Sequence, residues 1–297
     1  MDSAVVVETA SQLADFLEHV STVPHIAIDT ESNSFYAYFE RICLLQVSTS
    51  DCDYILDPLA LTDLGAFGSI LADAKIEKIF HAAANDVLGL KRDYQFQVDN
   101  LFDTAIACKL LGYKQLGLAR ILEQHYGVVL DKKWQRHDWA KRPLETEQLE
   151  YASLDTHFLI PLRHTLATEL TTRELWDTAQ EAFAKAAAQE LQERTFQPEA
   201  FLHIRGARSL DPTAKRVLKA LYLYRDREAR RRDRAPFRVL TDETLVRLAQ
   251  QQPQTIREFS RVKGMPRSYQ EGRSALSLLG IIRRNAGGGG DSVSPPQ

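Results

Sequence analysis

Asp29 and Glu31 lie two residues apart at the end of a short apolar run, Ile26-Ala27-Ile28. If that run is a strand, side chains two apart leave the same sheet face, so two carboxylates emerge together. Neighbouring anions repel unless a cation sits between them. All-oxygen ligands favour magnesium or manganese. A strand simply running out into a polar loop would carry the same residues. Asp86 follows the small-residue stretch His81-Ala82-Ala83-Ala84-Asn85, at the expected start of a helix. There a carboxylate also serves to complement the helix N-terminus. Tyr151 and Asp155 are four apart within a helical pattern and therefore share one face. They could serve one small volume or form a surface pair, and His81 alone reads equally as a core or rim histidine.

These residues need elements to hold them. Apolar periodicity predicts a first helix over residues 9–20, through Leu13, Phe16, Leu17 and Val20. Strands are expected at 26–29, 42–49, 54–56, 78–80 and 98–102, the second and third joined as a hairpin by the polar turn 50–53. Helices are expected at 64–72, 85–92 and 104–111, with Asp103 capping the last. One long helical run covers 147–162. Central strands alternating with helices imply a mixed, five-stranded sheet flanked by helices, after which the chain turns wholly helical.

Asp-x-Glu on a strand, an Asp on a following helix and Tyr-x-x-x-Asp on a third element resemble the three motifs of the DEDD exonuclease superfamily, in its tyrosine-bearing branch. The likeness extends over roughly residues 5–170. Asn33-Ser34-Phe35-Tyr36 and Arg41-Ile42-Cys43-Leu44-Leu45-Gln46-Val47-Ser48 look like the continuation of the first motif in ribonuclease D. Leu130-Asp131-Lys132-Lys133, Asp138-Trp139 and Arg142-Pro143-Leu144 look like the approach to the last. Asn85 departs from the pattern, standing where relatives often have a bulkier residue. The resemblance implies a ribonuclease H-like fold and 3′-to-5′ phosphodiester hydrolysis with two divalent ions, Mg2+ or Mn2+. Asp29, Glu31, Asp86 and Asp155 would hold the ions, with Asp29 bridging them, and Tyr151 would orient the attacking water. Thr30, His81, Asn85, Lys133 and Arg136 are the expected substrate contacts in this region. The loop cations Lys132, Lys133, Arg136, Lys141 and Arg142 read equally as a solvated basic loop, and Trp134 and Trp139 as packing residues.

The net charge of −3 hides a division. Residues 1–204 carry 17 basic against 31 acidic side chains, net −14, whereas residues 205–285 carry 20 against 8, net +12. Such asymmetry points to an attached module with an anionic partner. The stretch from Tyr222 to Leu240, with Arg225-Asp226-Arg227-Glu228-Ala229-Arg230-Arg231-Arg232-Asp233-Arg234, resembles the HRDC domain, a small helical bundle. Arg230, Arg231 and Arg232 are its expected phosphate contacts. The domain reading is therefore 1–170 exonuclease, 171–205 helical connector, 206–285 HRDC-like bundle and 286–297 disordered tail. Hydrophobic content of 44% with 26% charged residues fits a globular chain. No apolar run approaches the ~20 residues of a membrane span. Cys43, Cys52 and Cys108, odd in number and widely spaced, suggest neither a disulfide framework nor a zinc site. The resemblance implies an exoribonuclease acting on structured RNA with a single-stranded 3′ end, such as tRNA precursors. A monomer in the cytosol is expected. A DNA exonuclease of the same branch and an RNA-binding protein with a retired site remain as alternatives.

Overall fold

The computed structural model describes residues 3–131, 133–191 and 195–287. Two compact units are present: Met1–Phe35 with Glu40–Gln192, and Tyr36–Phe39 with Glu193–Gln297. Lys132 and residues 288–297, most of the expected tail, lie outside the described residues. Among those described, no helix is long and apolar enough to cross a membrane, and all three cysteines are free thiols.

The first unit is built on a six-stranded sheet in the order β1-β4-β3-β2-β5-β6. The strands are β1 Val5–Val7, β2 His25–Ser32, β3 Ile42–Ser48, β4 Asp53–Leu56, β5 Glu77–Phe80 and β6 Leu101–Asp103. β3 is buried at every position, as its apolar run requires of a strand covered on both faces. It pairs antiparallel with β2 and β4, while β2–β5, β5–β6 and β1–β4 are parallel, so the sheet is mixed. The five expected strands are β2 to β6. The sixth, β1, is a three-residue edge strand, too short to show the alternation that identifies a strand.

Helices cover both faces: α1 Ala10–Val20, α2 Gly65–Ala72, α3 Ala84–Tyr94, α4 Thr104–Leu110, α5 Leu118–Tyr126, α6 Thr146–His157, α7 Leu159–Thr172 and α8 Trp176–Ala187. α1 buries Leu13, Phe16 and Val20 and begins with a reciprocal Thr9–Gln12 capping box. The single helix expected at 147–162 is two, broken at Phe158. Pro161 explains the break: it has no N–H to continue the ladder and fits only the first turn of a new helix. The expected connector does more than connect. α8 places Ala179, Phe183 and Ala186 in the core of the first unit.

The second unit is all helical: α9 Pro212–Arg231, α10 Pro236–Val239, α11 Asp242–Gln251, α12 Ile256–Ser260 and α13 Gly272–Ala286, with 3-10 turns at Pro198–His203 and Arg267–Tyr269. α9 starts at Asp211, whose carboxylate accepts from Ala214 N–H, with Pro212 at the first helical position. Val217, Leu218 and Leu221 of α9 meet Leu245, Leu248, Leu278 and Ile282 in a separate core. This unit also includes Tyr36–Phe39, drawn from between β2 and β3. Asp233 Oδ1 accepts from the N–H groups of Tyr38 and Phe39 at 3.0 and 2.9 Å. The Tyr38 hydroxyl donates to Asp226 at 2.9 Å, and Arg238 lies 3.7 Å over the Tyr36 ring.

Candidate active site

β2 is longer than its parallel neighbour β5, and their ladder covers only His25–Ala27. Asp29, Thr30 and Glu31 therefore extend past the end of β5, where the chain turns through residues 81–83 into α3. This brings the first turn of α3 beside β2, and the Thr30 hydroxyl donates to Asp86 Oδ1 at 2.6 Å. The turn is held rigidly. Asp103 accepts from the N–H groups of Ala82 and Ala83 at 3.0 and 2.8 Å while also capping α4 through Ala105 and Ile106. Ala82 sits in the left-handed region with φ of 61°, an arrangement a non-glycine residue keeps only under such constraint.

α6 packs on β2, β3 and β4 and carries Tyr151, which is buried, and Asp155, which is half-buried, one turn apart. The Tyr151 ring stacks on Trp139, with centroids 6.2 Å apart and planes 22° apart. Trp139 is 1% exposed and belongs with Cys43, Leu44, Ile55 and Ala152 to a small second core behind the site. Arg142 fixes the loop that carries Trp139. It donates to both oxygens of Asp57 at 2.5 and 2.7 Å, to Trp139 O at 2.7 Å and to Cys43 O at 2.8 Å. Arg142 is thus a structural clamp.

The four acids act on one another. Burial pushes the carboxyls of Asp29 and Glu31 well above the ordinary range, and the charges of Asp86 and Asp155 push them further. Asp86 is raised to about 6 by burial, against the lowering effect of the Thr30 hydroxyl. Asp155 is raised to about 7 by burial and then by Asp86. Tyr151 is pushed well up by burial and by Asp155, Glu31 and Asp29, so its phenol stays protonated at neutral pH. Clustered, mutually destabilised carboxylates are the donor set a hard divalent cation requires. Among the described residues, no group of three or more His, Cys, Asp or Glu side chains is already placed to hold a metal ion.

The remaining expected contacts are dispersed in role. Both His81 ring nitrogens are engaged, Nδ1 with Thr104 Oγ1 at 2.9 Å and Nε2 with Leu116 O at 2.8 Å, so neither faces a substrate in this arrangement. Burial lowers the pKa of this imidazole. Asn85 is exposed. Lys133 pairs with Glu147 at 3.0 Å and lies 4.4 Å over Trp134, while the Arg136 guanidinium lies 5.7 Å over Phe35. In the second unit, Arg231 and Arg232 both pair with Glu228, and Arg230 is exposed. The sequence anticipated Asp103 as a helix cap only. That Asp103 also holds the turn before α3 depends on the parallel pairing of β5 with β6, which no local signal reveals.

The fold and this acidic cluster define a 3′–5′ exonuclease domain. The 3′–5′ exonuclease family model matches residues 4–171 and the HRDC domain model residues 214–282. The chain belongs to the 3′–5′ exonuclease family, with a C-terminal HRDC domain, and its relatives include ribonuclease D and RRP6 proteins. It is 34% identical over 282 residues to Protein RRP6-like 3 of Arabidopsis thaliana, covering 87% of this chain and 32% of the relative. Ribonuclease D of Haemophilus influenzae is 32% identical over 264 residues, 87% of this chain and 66% of that protein. This chain thus spans under a third of the plant protein and just under two thirds of the bacterial one. The solved catalytic core of RRP6 from Trypanosoma brucei superposes with a TM-score of 0.87 at 26% identity, covering 96% of this chain and 80% of that one. A more distant neighbour, Brucella melitensis NrnC, was solved with bound Mg2+; its TM-score is 0.51 at 25% identity over 64% of this chain and 90% of that one.

Proposed function

We propose that this chain is a metal-dependent 3′-to-5′ exoribonuclease. Its proposed substrate is structured RNA with a single-stranded 3′ end, such as a tRNA precursor. The observation that carries the reading is the gathering of Asp29, Glu31, Asp86 and Asp155, each pushed above the ordinary carboxylate range by burial, with a like charge beside it. Such a cluster is costly unless a cation completes it. Asp29, Glu31, Asp86 and Asp155 would hold two divalent ions, Mg2+ or Mn2+. The chemistry such ions would supply there is activation of the attacking water and stabilisation of the departing 3′ oxygen. Tyr151 remains a phenol, so it orients water by donating or accepting a hydrogen bond and does not abstract its proton. Trp139 holds the Tyr151 ring in place. Thr30 keeps Asp86 turned toward β2.

RNA is proposed over DNA because relatives that cover most of this chain are named ribonuclease D and RRP6-like proteins. The basic second unit suits an anchor on a longer RNA, and a cytosolic monomer accounts for the remaining expectations. The test is digestion of matched RNA and DNA oligomers labelled at the 3′ end, with Mg2+, Mn2+ or chelator. Stepwise release of 3′ nucleotides from RNA, abolished by chelation, is the expected result. Preferential digestion of DNA would replace ribonuclease with deoxyribonuclease, and hydrolysis unaffected by chelator would overturn the metal assignment.

A further inference from the structure

Gln46 is fully buried, and neither its Nε2 nor its Oε1 has a hydrogen-bond partner. Among the described residues it is the one side chain with two separate polar atoms so stranded. A buried amide left this way has lost its hydrogen bonds to water with nothing in return, so such a residue calls for a physical reason. Core filling does not supply one. β3 is otherwise apolar from Ile42 to Val47, and Leu or Met would occupy the volume without the penalty.

The register shows what the amide can reach. Gln46 stands directly opposite Asp29 on β2 and directly opposite Ile55 on β4. Directly opposed residues share a sheet face, with Cβ atoms roughly 4.5–5.5 Å apart. The same face carries Ala27, Asp29 and Glu31 on β2, Leu44 and Ser48 on β3, and Asp53 and Ile55 on β4. Of these, Ser48 and Asp53 are already committed to each other and to Thr156 and His157 of α6. Leu44, Ile55 and Ala27 offer nothing polar. Glu31 is one step along the diagonal. Among the sheet residues of this face, Asp29 is left as the directly adjacent polar group.

We propose that Gln46 is a positioning residue for Asp29: its carboxamide N–H donates to the Asp29 carboxylate when that carboxylate is engaged with a divalent cation. The inference rests on the reading of the acidic cluster as the cation site. A neutral donor is the appropriate partner here. A Lys or Arg at this position would neutralise Asp29 and compete with the cation, whereas an amide orients the carboxylate and leaves its charge intact. Groups that orient a metal-binding carboxylate from behind typically change metal affinity or activity by ~10–100-fold when removed.

The experiment compares wild type with Gln46→Met, which keeps the volume and removes the amide, on three readouts. The metal-free unfolding midpoint should stay level or rise, because an unsatisfied amide is replaced by a well-packed apolar chain. Calorimetric titration with Mn2+ alone should show affinity reduced ~10–100-fold. At saturating Mn2+, kcat on a 3′-labelled RNA oligomer should fall by a similar factor with KM unchanged. A level midpoint with unchanged Mn2+ affinity and kcat would overturn the proposal, leaving Gln46 as a core residue satisfied by buried water. If Gln46→Met does not yield folded protein, Gln46→Leu is put through the same measurements. Wild-type protein that binds Mn2+ but degrades neither RNA nor DNA would sink the exonuclease reading. The Mn2+ comparison would still decide the role of Gln46.

Discussion

The two units treat like charge in opposite ways. At the candidate site of the first, Asp29, Glu31, Asp86 and Asp155 are brought together and each is made less acidic by burial; the charge of Asp86 raises the other three, and Asp103 raises Asp86. In the second, half of the dense arginine run, Arg225, Arg231 and Arg232, is compensated internally. Arg225 is buried and paired with Asp242 at 2.6 Å, Arg231 and Arg232 share Glu228, and Lys219 pairs with Glu199. The difference separates two meanings of a charge cluster. Charges that the fold leaves in conflict await a ligand, and charges that the fold neutralises belong to the scaffold. A net charge counted from sequence cannot tell them apart. By this criterion the phosphate-facing candidates in the second unit shift from Arg230, Arg231 and Arg232 toward Arg227, Arg230 and Arg234, which are exposed and lie outside these pairs.

The largest expected effect comes from the conflicted acids. Asp29→Asn or Asp155→Asn should abolish metal-dependent hydrolysis, leaving the fold and RNA binding largely intact. Because each change removes a repulsive charge, metal-free stability should hold or rise. Retained Mg2+-dependent turnover in either variant would remove that acid from the mechanism. Next comes Tyr151→Phe, which keeps the stack on Trp139 and deletes only the hydroxyl. Single-turnover hydrolysis should fall by ~10²-fold while Mn2+ affinity survives. An unchanged rate would reduce Tyr151 to a packing residue.

A smaller effect is expected in the pH dependence of the metal-free protein. Asp86 titrates at about 6 and Asp155 at about 7 in the folded state, above the ~3.9 of an unfolded Asp. The folded protein therefore binds more protons than the unfolded chain. The stabilisation this provides is complete below ~4 and is lost as pH rises through about 6 to 7. The metal-free unfolding midpoint should fall by several degrees between pH 5 and pH 8, ~1 kcal/mol being worth roughly 2–4 °C at this size. Saturating Mg2+ should flatten the decline, and a midpoint that rises steadily across this range would contradict the mutual repulsion.

The smallest and most graded effect tests the second unit. Ala at Arg227, Arg230 or Arg234 should weaken binding to a tRNA-sized RNA about equally across sequences. Each guanidinium removed from a phosphate should lower the slope of log affinity against log salt by about 1, with stability unchanged. Arg225→Met should do the reverse, lowering the unfolding midpoint without altering the salt slope. Identical slopes for wild type and the three Ala variants would mean that these arginines are solvated and not an RNA surface.

The five residues of the acidic site were legible because each motif is local: Asp29 and Glu31 on one strand, Asp86 in a helical first turn, Tyr151 and Asp155 on one helix face. What supports them is not local, and little of it could be read. Asp103 reaches back twenty residues to hold Ala83, and Arg142 reaches eighty-five to Asp57. Gln46 becomes informative only once the register sets it against Asp29. Its one sequence signal is a polar residue inside an apolar strand. His81 shows the converse: a reactive side chain beside the right motif whose nitrogens the fold uses elsewhere.

The inclusion of Tyr36–Phe39 in the second unit has a consequence for biosynthesis. These residues leave the ribosome nearly two hundred positions before Asp226, Asp233 and Arg238, with which they associate. The first unit can acquire its sheet while the four-residue segment is still without its partners. Completing the second unit then closes a loop containing almost the whole exonuclease domain, a high-contact-order step whose entropy cost grows only slowly with loop length. A fragment beginning near residue 195 therefore lacks a piece of its own fold. Supplying the missing segment in trans as a short peptide spanning residues 33–40 should raise the unfolding midpoint of that fragment, whereas a scrambled peptide should not.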